Sequence, residues 1–423
     1  MKRKLFSGIL ALLLGLGCCF AHVAAAEDNT VTLLIHPTLY SATGGDNGII
    51  QRFMDETGID VTIVSAPTQD LRDKALMEFL SASGRFDVIL LLSGWLNDDM
   101  FQYLEPLDEY LAQASEGYQP EDFIESLMAQ GKDSAGVQKV IPMRVGTAMM
   151  YYNQDILSAH GLTVPTTWEE VLEVCEAVST EELKGIAQTF YPENKDFIRL
   201  LYSMGGTVLS EDMTQATVNT PEMVQMINFV KTIFDAGYVS KESLTWDRDQ
   251  QITAMQQGRA ALGVYYSPYW GRIIDETAIA EGYTADSFGW ALSPTSEGVP
   301  AGRSLNDGWS VGIDKNSQHK ENAWKLVEAL TNAENQLEMA LYYANGPTRT
   351  SVYQSEEYLA MYPLAEEWLT ATAASMFVPP HPDWELIQSV LNQQVFYAID
   401  GSITPEEAAQ AANDEIQRIL DNR

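Results

Sequence analysis

Apolar residues recur along this chain in two alternating rhythms. Val31 to His36, Val61 to Val64 and Val88 to Leu92 are short, near-continuous apolar runs of the kind that fully buried strands show. Between them, Gly48 to Glu56 and Leu71 to Ala82 carry apolar positions at helical spacing and stop at Gly58 and Gly84. The order βαβαβ predicts an α/β unit with a largely parallel sheet. It places Pro37 to Tyr40 and Ser93 to Asp98 at the carboxyl ends of strands, where open α/β sheets hold their ligands.

The pattern changes across residues 139 to 170. Val140 to Gly146 reads as extended, because Pro142 blocks a helix and Gly146 leaves the backbone permissive, and Thr147 to Tyr152 continues as a strand. A short helix follows from Asn153 to about Ala159, with a stop at Gly161. Thr167 and Glu170 have capping-box spacing ahead of the apolar run Val171 to Val178. This segment is expected to be a hinge into a second α/β unit. There, Ile186 to Phe190, Ala260 to Tyr266 and Phe288 to Leu292 read as strands, and Asp196 to Met204, Glu222 to Ala236 and Asp249 to Gln257 as helices. Ser293-Pro294 is a second hinge candidate, after which Ser304 to Ile313 would return to the first unit. Helical runs close the chain, the last opened by Thr404-Pro405-Glu406-Glu407. The expected organisation is two interleaved α/β lobes, residues 27–145 with 294–362 and residues 146–293 with 363–423, behind a leader at 1–26.

A chain of 423 residues exceeds what one core usually organises, which agrees with two lobes. Charge narrows the function. The chain has 25 basic and 59 acidic side chains, and loss of Lys2, Arg3 and Lys4 with the leader takes the net charge from −34 to −37. Such a field repels phosphate backbones and anionic headgroups, so a nucleic-acid partner is not expected. The leader itself has Lys2-Arg3-Lys4, an apolar run from Leu5 to Phe20 and small residues at Ala24-Ala25-Ala26, the signature of an export signal. Acylation at Cys18 or Cys19 is an alternative, although Gly15 stands where a Leu is usual three residues before Cys18. An uncleaved anchor is a third. Either way the protein is expected to be extracytoplasmic. Cys175 is then the single mature cysteine, on an apolar helical stretch, and is read as a core residue. The remaining histidines, His36, His160, His319 and His381, show no metal-ligand spacing, and no metal or other cofactor is expected.

Several segments occur in a telling order. They are Phe86-Asp87-Val88-Ile89 followed by Trp95, the run from Lys139 through Tyr151-Tyr152-Asn153 to Thr167-Trp168-Glu169-Glu170, Met255-Gln256-Gln257-Gly258-Arg259-Ala260-Ala261 followed by Tyr269-Trp270, Gly308-Trp309-Ser310-Val311-Gly312-Ile313, and Asn345-Gly346-Pro347-Thr348-Arg349. Together they resemble the extracellular solute-binding proteins of ABC importers, in the sugar- and polyol-binding family that includes the maltose-binding type. The resemblance spans nearly all of the chain after residue 30. It implies two lobes closing on a solute, delivery to the transmembrane subunits of a permease, a monomer, and no catalysis. It also implies that the C-terminal helices pack mainly on the second lobe.

A sugar or polyol has apolar C–H faces and hydroxyl edges, so its site needs aromatic platforms beside hydrogen-bonding side chains. The aromatic candidates in turns are Trp95, Tyr266, Tyr269, Trp270, Trp309 and Trp384, the last in a rigid loop where the resembling family often places a stacking ring. The polar candidates are Thr38 and Tyr40 in the first ligand loop, Asp98, Asn306, Asp307, Arg144 in the hinge and Arg349, with Arg144 also readable as part of an interlobe ion pair and Arg349 as a helix cap. The maltose-binding type carries an acidic ligand contact near the position of Gly146, and this chain departs from it there. Two further readings stay open: a secreted glycoside hydrolase using paired carboxylates, and the same fold binding a non-sugar solute. Against the first, the element order is not eight-fold and no nucleophile elbow occurs.

Overall fold

The computed structural model describes residues 29–190, 195–343 and 345–422, so the leader expectations lie outside it. Eight strands carry the architecture: β1 Thr30–Ile35, β2 Asp60–Ser65, β3 Val88–Leu92, β4 Val140–Asn153, β5 Lys184–Ala187, β6 Ala260–Tyr266, β7 Phe288–Leu292 and β8 Asn306–Ile313. Their order is β2-β1-β3-β8-β4-β6-β5, with β7 added on β4. The outer pairs β1–β2, β1–β3 and β5–β6 are parallel, as the alternation of strands and helices requires. The inner pairs are antiparallel: β8 lies between β3 and β4, and β4 pairs β6 and β7. A largely parallel sheet was expected; the correction arises because β8 returns from the far side of the molecule and enters against the direction of β3.

The 14-residue strand β4 is shared between the two halves. Its residues from Val140 to Thr147 pair β8, and those from Ala148 onward pair β6, with β7 joining from Met149. The expected hinge is thus one unbroken strand that changes partners at Thr147. Helices flank both sheets, and side chains fix their starts. Thr167 with Glu170, Asp247 with Gln250, and Thr404 with Glu407 form reciprocal capping boxes, while Thr220 caps a helix with Pro221 in its first turn. Pro37 to Tyr40, expected as a loop, belongs to a helix, Pro37–Ala42; Pro37 is preset for the first turn, and the His36 ring accepts from the Thr38 amide.

Three apolar cores result. One joins β1, β3 and the helix Lys320–Thr331 through residues such as Leu34, Leu90 and Leu326. A second gathers Met150, Cys175, Leu201, Ile227 and the C-terminal residues Leu391, Ala409 and Ile416. A third packs Met149, Tyr151 and Tyr265 against Tyr353, Tyr358 and Trp368, and so draws residues from both expected lobes. Burial pushes the Cys175 thiol up to about 12, consistent with a packed, unreactive cysteine. Among the described residues no helix is long and apolar enough to cross a membrane.

Candidate functional site

The site is built around a flaw in the crossing strand. Pro142 pairs Ser310 but Arg144 pairs Trp309, so Met143 is an extra residue on β4, a bulge. Its effects are handled by residues 345–348 together with Gln336 of a neighbouring helix. The Thr348 hydroxyl donates to the Pro142 carbonyl (2.9 Å), the Gln336 and Asn345 amides donate to the Met143 carbonyl (2.8 and 3.3 Å), and the Val145 amide donates to Gly346 (3.0 Å). Beyond the bulge the strands alternate regularly. Arg144 stands opposite Trp309 and Gly146 opposite Asp307, and these four residues line one hollow. Gly308 between them is required by close approach: a Cβ there would lie 2.4 Å from the Arg144 carbonyl oxygen.

This hollow, of about 530 Å³, lies where the two sheets meet. One wall comes from the first half of the molecule: His36, Thr38, Thr68 and Leu92. The other comes from the second half: Arg248, Tyr266, Tyr269 and Arg272. Trp309 stacks on His36 with ring centroids 5.2 Å apart and meets Trp95 edge-on at 5.7 Å. Arg248 lies over the rings of Tyr266 and Tyr269, 5.2 Å from each centroid, and donates to the Tyr269 hydroxyl at 2.9 Å. A second hollow of about 730 Å³ shares Thr68 and Leu92 with the first and is lined by Arg72, Gly94, Trp95, Lys195, Trp384, Glu385 and Phe396. At its edge Arg72 pairs with Glu385, joining the helices Thr68–Ser81 and Trp384–Ile399 across the gap.

The ionised groups are unevenly matched. Asp307 is fully engaged: the Ser93 hydroxyl donates to Oδ1 at 2.6 Å, the Gly308 amide to the same atom at 3.1 Å, and Lys195 Nζ to Oδ2 at 3.1 Å. Burial works to raise the Asp307 carboxyl. The charge of Lys195, the bonds from Ser93 and Lys195, and the charge of Arg248 outweigh it and hold the group below the usual carboxylate range. Asp196 is likewise taken by Gln188, Thr189 and Arg199. The Arg144 side chain makes no hydrogen bond or ion pair with any described residue. Burial lowers its pKa from the ordinary arginine value and the charge of Arg248 adds to this, although a guanidinium stays protonated throughout. His36 is lowered by burial and then by Arg144.

The expected residues divide by position. Thr38, Arg144, Tyr266, Tyr269, Asp307 and Trp309 line the first hollow, and Trp95 and Trp384 the second. Five others do not line either. Trp270 stacks flat on the buried Tyr151, centroids 5.9 Å apart. Asn306 is buried, its amide group taken by the Thr147 hydroxyl and the Thr372 carbonyl. Tyr40 donates from its helix to Asp46 in the turn that follows, and Asp98 accepts from the Ser134 amide at an exposed helix start. Arg349 is the largest correction: fully buried, it donates to the Thr331 and Gln119 carbonyls (2.6 and 2.9 Å), pairs with Asp122 at 3.4 Å, and lies on Phe123 at 3.8 Å. Its task is to hold the segment that seals the β4 edge. Sequence reasoning passed over His36, Arg72, Lys195, Arg248 and Arg272. Of these, Arg248 had a readable signal, since Asp247 and Gln250 have capping-box spacing and place it in a helix's first turn.

A hollow between two α/β halves that share a crossing strand, lined by aromatic rings and charged donors from both, defines a two-lobed ligand-binding protein. The comparisons narrow the class. Residues 41–337 match the model of the bacterial extracellular solute-binding protein family, and the chain belongs to that family. A Brucella abortus protein named as a binding protein is 23% identical over 374 residues, covering 86% of this chain and 87% of its own. A Sinorhizobium fredii protein named for an amino-acid ABC transporter's periplasmic binding is 23% identical over 453 aligned positions, 100% of this chain and 99% of that one. Among solved structures, the sugar-binding protein MalE of Xanthomonas citri superposes with a TM-score of 0.81 at 21% identity, covering 93% of this chain and 98% of that one. An Agrobacterium radiobacter solute-binding protein in complex with ribitol gives 0.77 at 20% identity, with 92% and 98% covered. At these identities the structures establish the shared fold.

Proposed function

We propose that this protein is the capture component of an ABC importer, binding a carbohydrate or polyol between its two lobes outside the cytoplasm and presenting it to a membrane permease. The observation that carries the reading is the ring set of the first hollow. Trp309, Tyr266 and Tyr269 come from different elements of both halves, yet border one space beside Thr38, Arg144 and Arg248, as a solute with apolar faces and hydroxyl edges requires. The solutes named for its structural neighbours, maltose and ribitol among them, support the same class. Closure on the solute would bring these walls together, with β4 as the pivot.

Capture without turnover fits the bonding of Asp307. Its oxygens already accept from Ser93, Gly308 and Lys195, and it is held ionised, which suits neither the proton donor nor the free nucleophile of a glycosidase. The mature chain is expected to act as a monomer. Thermal unfolding of the purified protein against maltose, ribitol, mannitol, amino acids and short peptides tests the proposal. A solute near 1,000 times its Kd adds roughly 4 kcal/mol, a rise of several degrees. A response confined to amino acids or peptides would replace the carbohydrate reading, and hydrolysis of aryl glycosides lost on changing Asp307 would replace capture.

A further inference from the structure

We infer that the solute is an acidic saccharide, one that carries an oxyanion, carboxylate or phosphate, which docks on Arg144 and Arg248. This rests on the carbohydrate reading above and adds a charge to it.

The charges at the floor of the hollow do not balance. Four cations stand at the floor where the two halves meet: Arg144, Lys195, Arg199 and Arg248. Two carboxylates face them, and each is committed, Asp307 to Lys195 at 3.1 Å and Asp196 to Arg199 at 2.8 Å. Arg272, at the rim, pairs with Asp249 at 2.9 Å, and Arg72 pairs with Glu385. Arg144 and Arg248 are left over. Arg248 spends one N–H on the Tyr269 hydroxyl, and Arg144 spends none on any described residue. Two guanidinium groups in a shared, partly desolvated hollow repel each other. A protein with 59 acidic side chains and a net charge of −34 has ample means to neutralise them and does not. Buried charge is costly unless paired, so an unpaired couple that faces an open volume marks the seat of an absent counter-charge. Arg144 is also fixed in aim, because the Met143 bulge sets its register opposite Trp309. A sugar ring against Trp309 would therefore bring an acidic substituent within reach of a planar, multiply donating partner.

The ring contacts fit the same solute. Arg248 lies 5.2 Å from the centroids of Tyr266 and Tyr269 and gives one N–H to the Tyr269 hydroxyl, so a ring-bearing solute that meets these tyrosines also meets its charge. Free inorganic anions are a poorer match, since they would leave the aromatic border of Trp309 and Tyr269 unused in a space of about 530 Å³.

The test is equilibrium binding to the full mature chain, using matched acidic and neutral partners: galacturonate with galactose, gluconate with sorbitol, glucose 6-phosphate with glucose, and glutarate as an acid without a sugar frame. The expected result is that at least one acidic saccharide binds roughly tenfold or more tightly than its neutral partner, an advantage that shrinks with salt. Arg144→Gln should weaken the acidic partner far more than the neutral one, so that the advantage falls to less than about twofold; Arg144→Lys should restore part of it. Unfolding curves of both variants, recorded without solute, establish that they fold. A response confined to glucose 6-phosphate identifies phosphate as the oxyanion, and one confined to the uronate or aldonate identifies carboxylate. Neutral sugars that bind as well as or better than their acids would leave the carbohydrate reading intact and overturn this inference. Glutarate alone binding would overturn both.

Discussion

Two arginines of this protein are withdrawn from bulk water and have opposite fates. Arg349 is enclosed completely, with two carbonyls, a carboxylate and two aromatic rings around its guanidinium. Arg144, on β4, lines an open hollow, and its side chain has no bonded partner among the described residues. The segment Asn345 to Arg349 connects them: its Asn345, Gly346 and Thr348 hold β4 at the bulge that aims Arg144, while Arg349 at its end is tied to Thr331, Gln119 and Asp122. The pair shows that burial alone does not separate a structural cation from a ligand-facing one. The inventory of acceptors does.

If that division is right, removing Arg349 should cost the most. Arg349→Ala takes the charge partner from the mostly buried Asp122, leaving it only the Ser351 amide and hydroxyl, and frees two carbonyls; a loss of about 3 kcal/mol of stability is expected in denaturant melts. Affinity of the fraction that remains folded should be unchanged. Next comes Trp309→Ala, which removes a ring bordering the hollow: solute affinity should fall roughly tenfold or more, beside some loss of stability from its contacts with His36 and Trp95. The same change at Trp270 offers the converse, lower stability from the lost stack on Tyr151 with affinity retained, and calorimetry on both variants would expose any mixing of the two roles.

Smaller effects sharpen the contrast. Arg144→Met takes one of two repelling charges out of the hollow, so the solute-free protein should gain about 1 kcal/mol, a rise in Tm of roughly 2 °C. A drop of similar size would mean that Arg144 has structural work after all. The smallest expected effect is a pH slope from His36, whose pKa lies below 6.5 in the folded protein. Its contribution is complete above pH 6.5 and declines as the pH falls toward the folded value, because the unfolded chain takes up the proton first. His36→Gln should flatten Tm against pH in that window, above the range where carboxylates titrate.

The sequence made the alternation of strands and helices visible because local burial enforces it: β3, β6 and β7 begin and end where the apolar runs do, and Thr167 with Glu170 cap their helix as the spacing suggests. The antiparallel centre was hidden, since whether β8 runs with or against β3 depends on the path of the residues between them and not on the residues of either strand. The site was legible where aromatic rings stood in turns, as at Tyr266, Tyr269 and Trp309. Its cations were less so. Arg248 and Lys195 lie far apart in sequence from Asp307, and Arg349 carries the same side chain as Arg144; only their neighbours in space tell them apart.

The unpaired couple on the floor also has a kinetic side. An acidic cargo must approach through the field of a strongly negative surface before it meets Arg144 and Arg248. Salt screens that long-range barrier within about 8 Å at physiological strength, but also weakens the final contact. Association should then quicken as salt is added while residence shortens, so that turnover of cargo between the protein and its permease would be set by the ionic strength of the compartment in which it works.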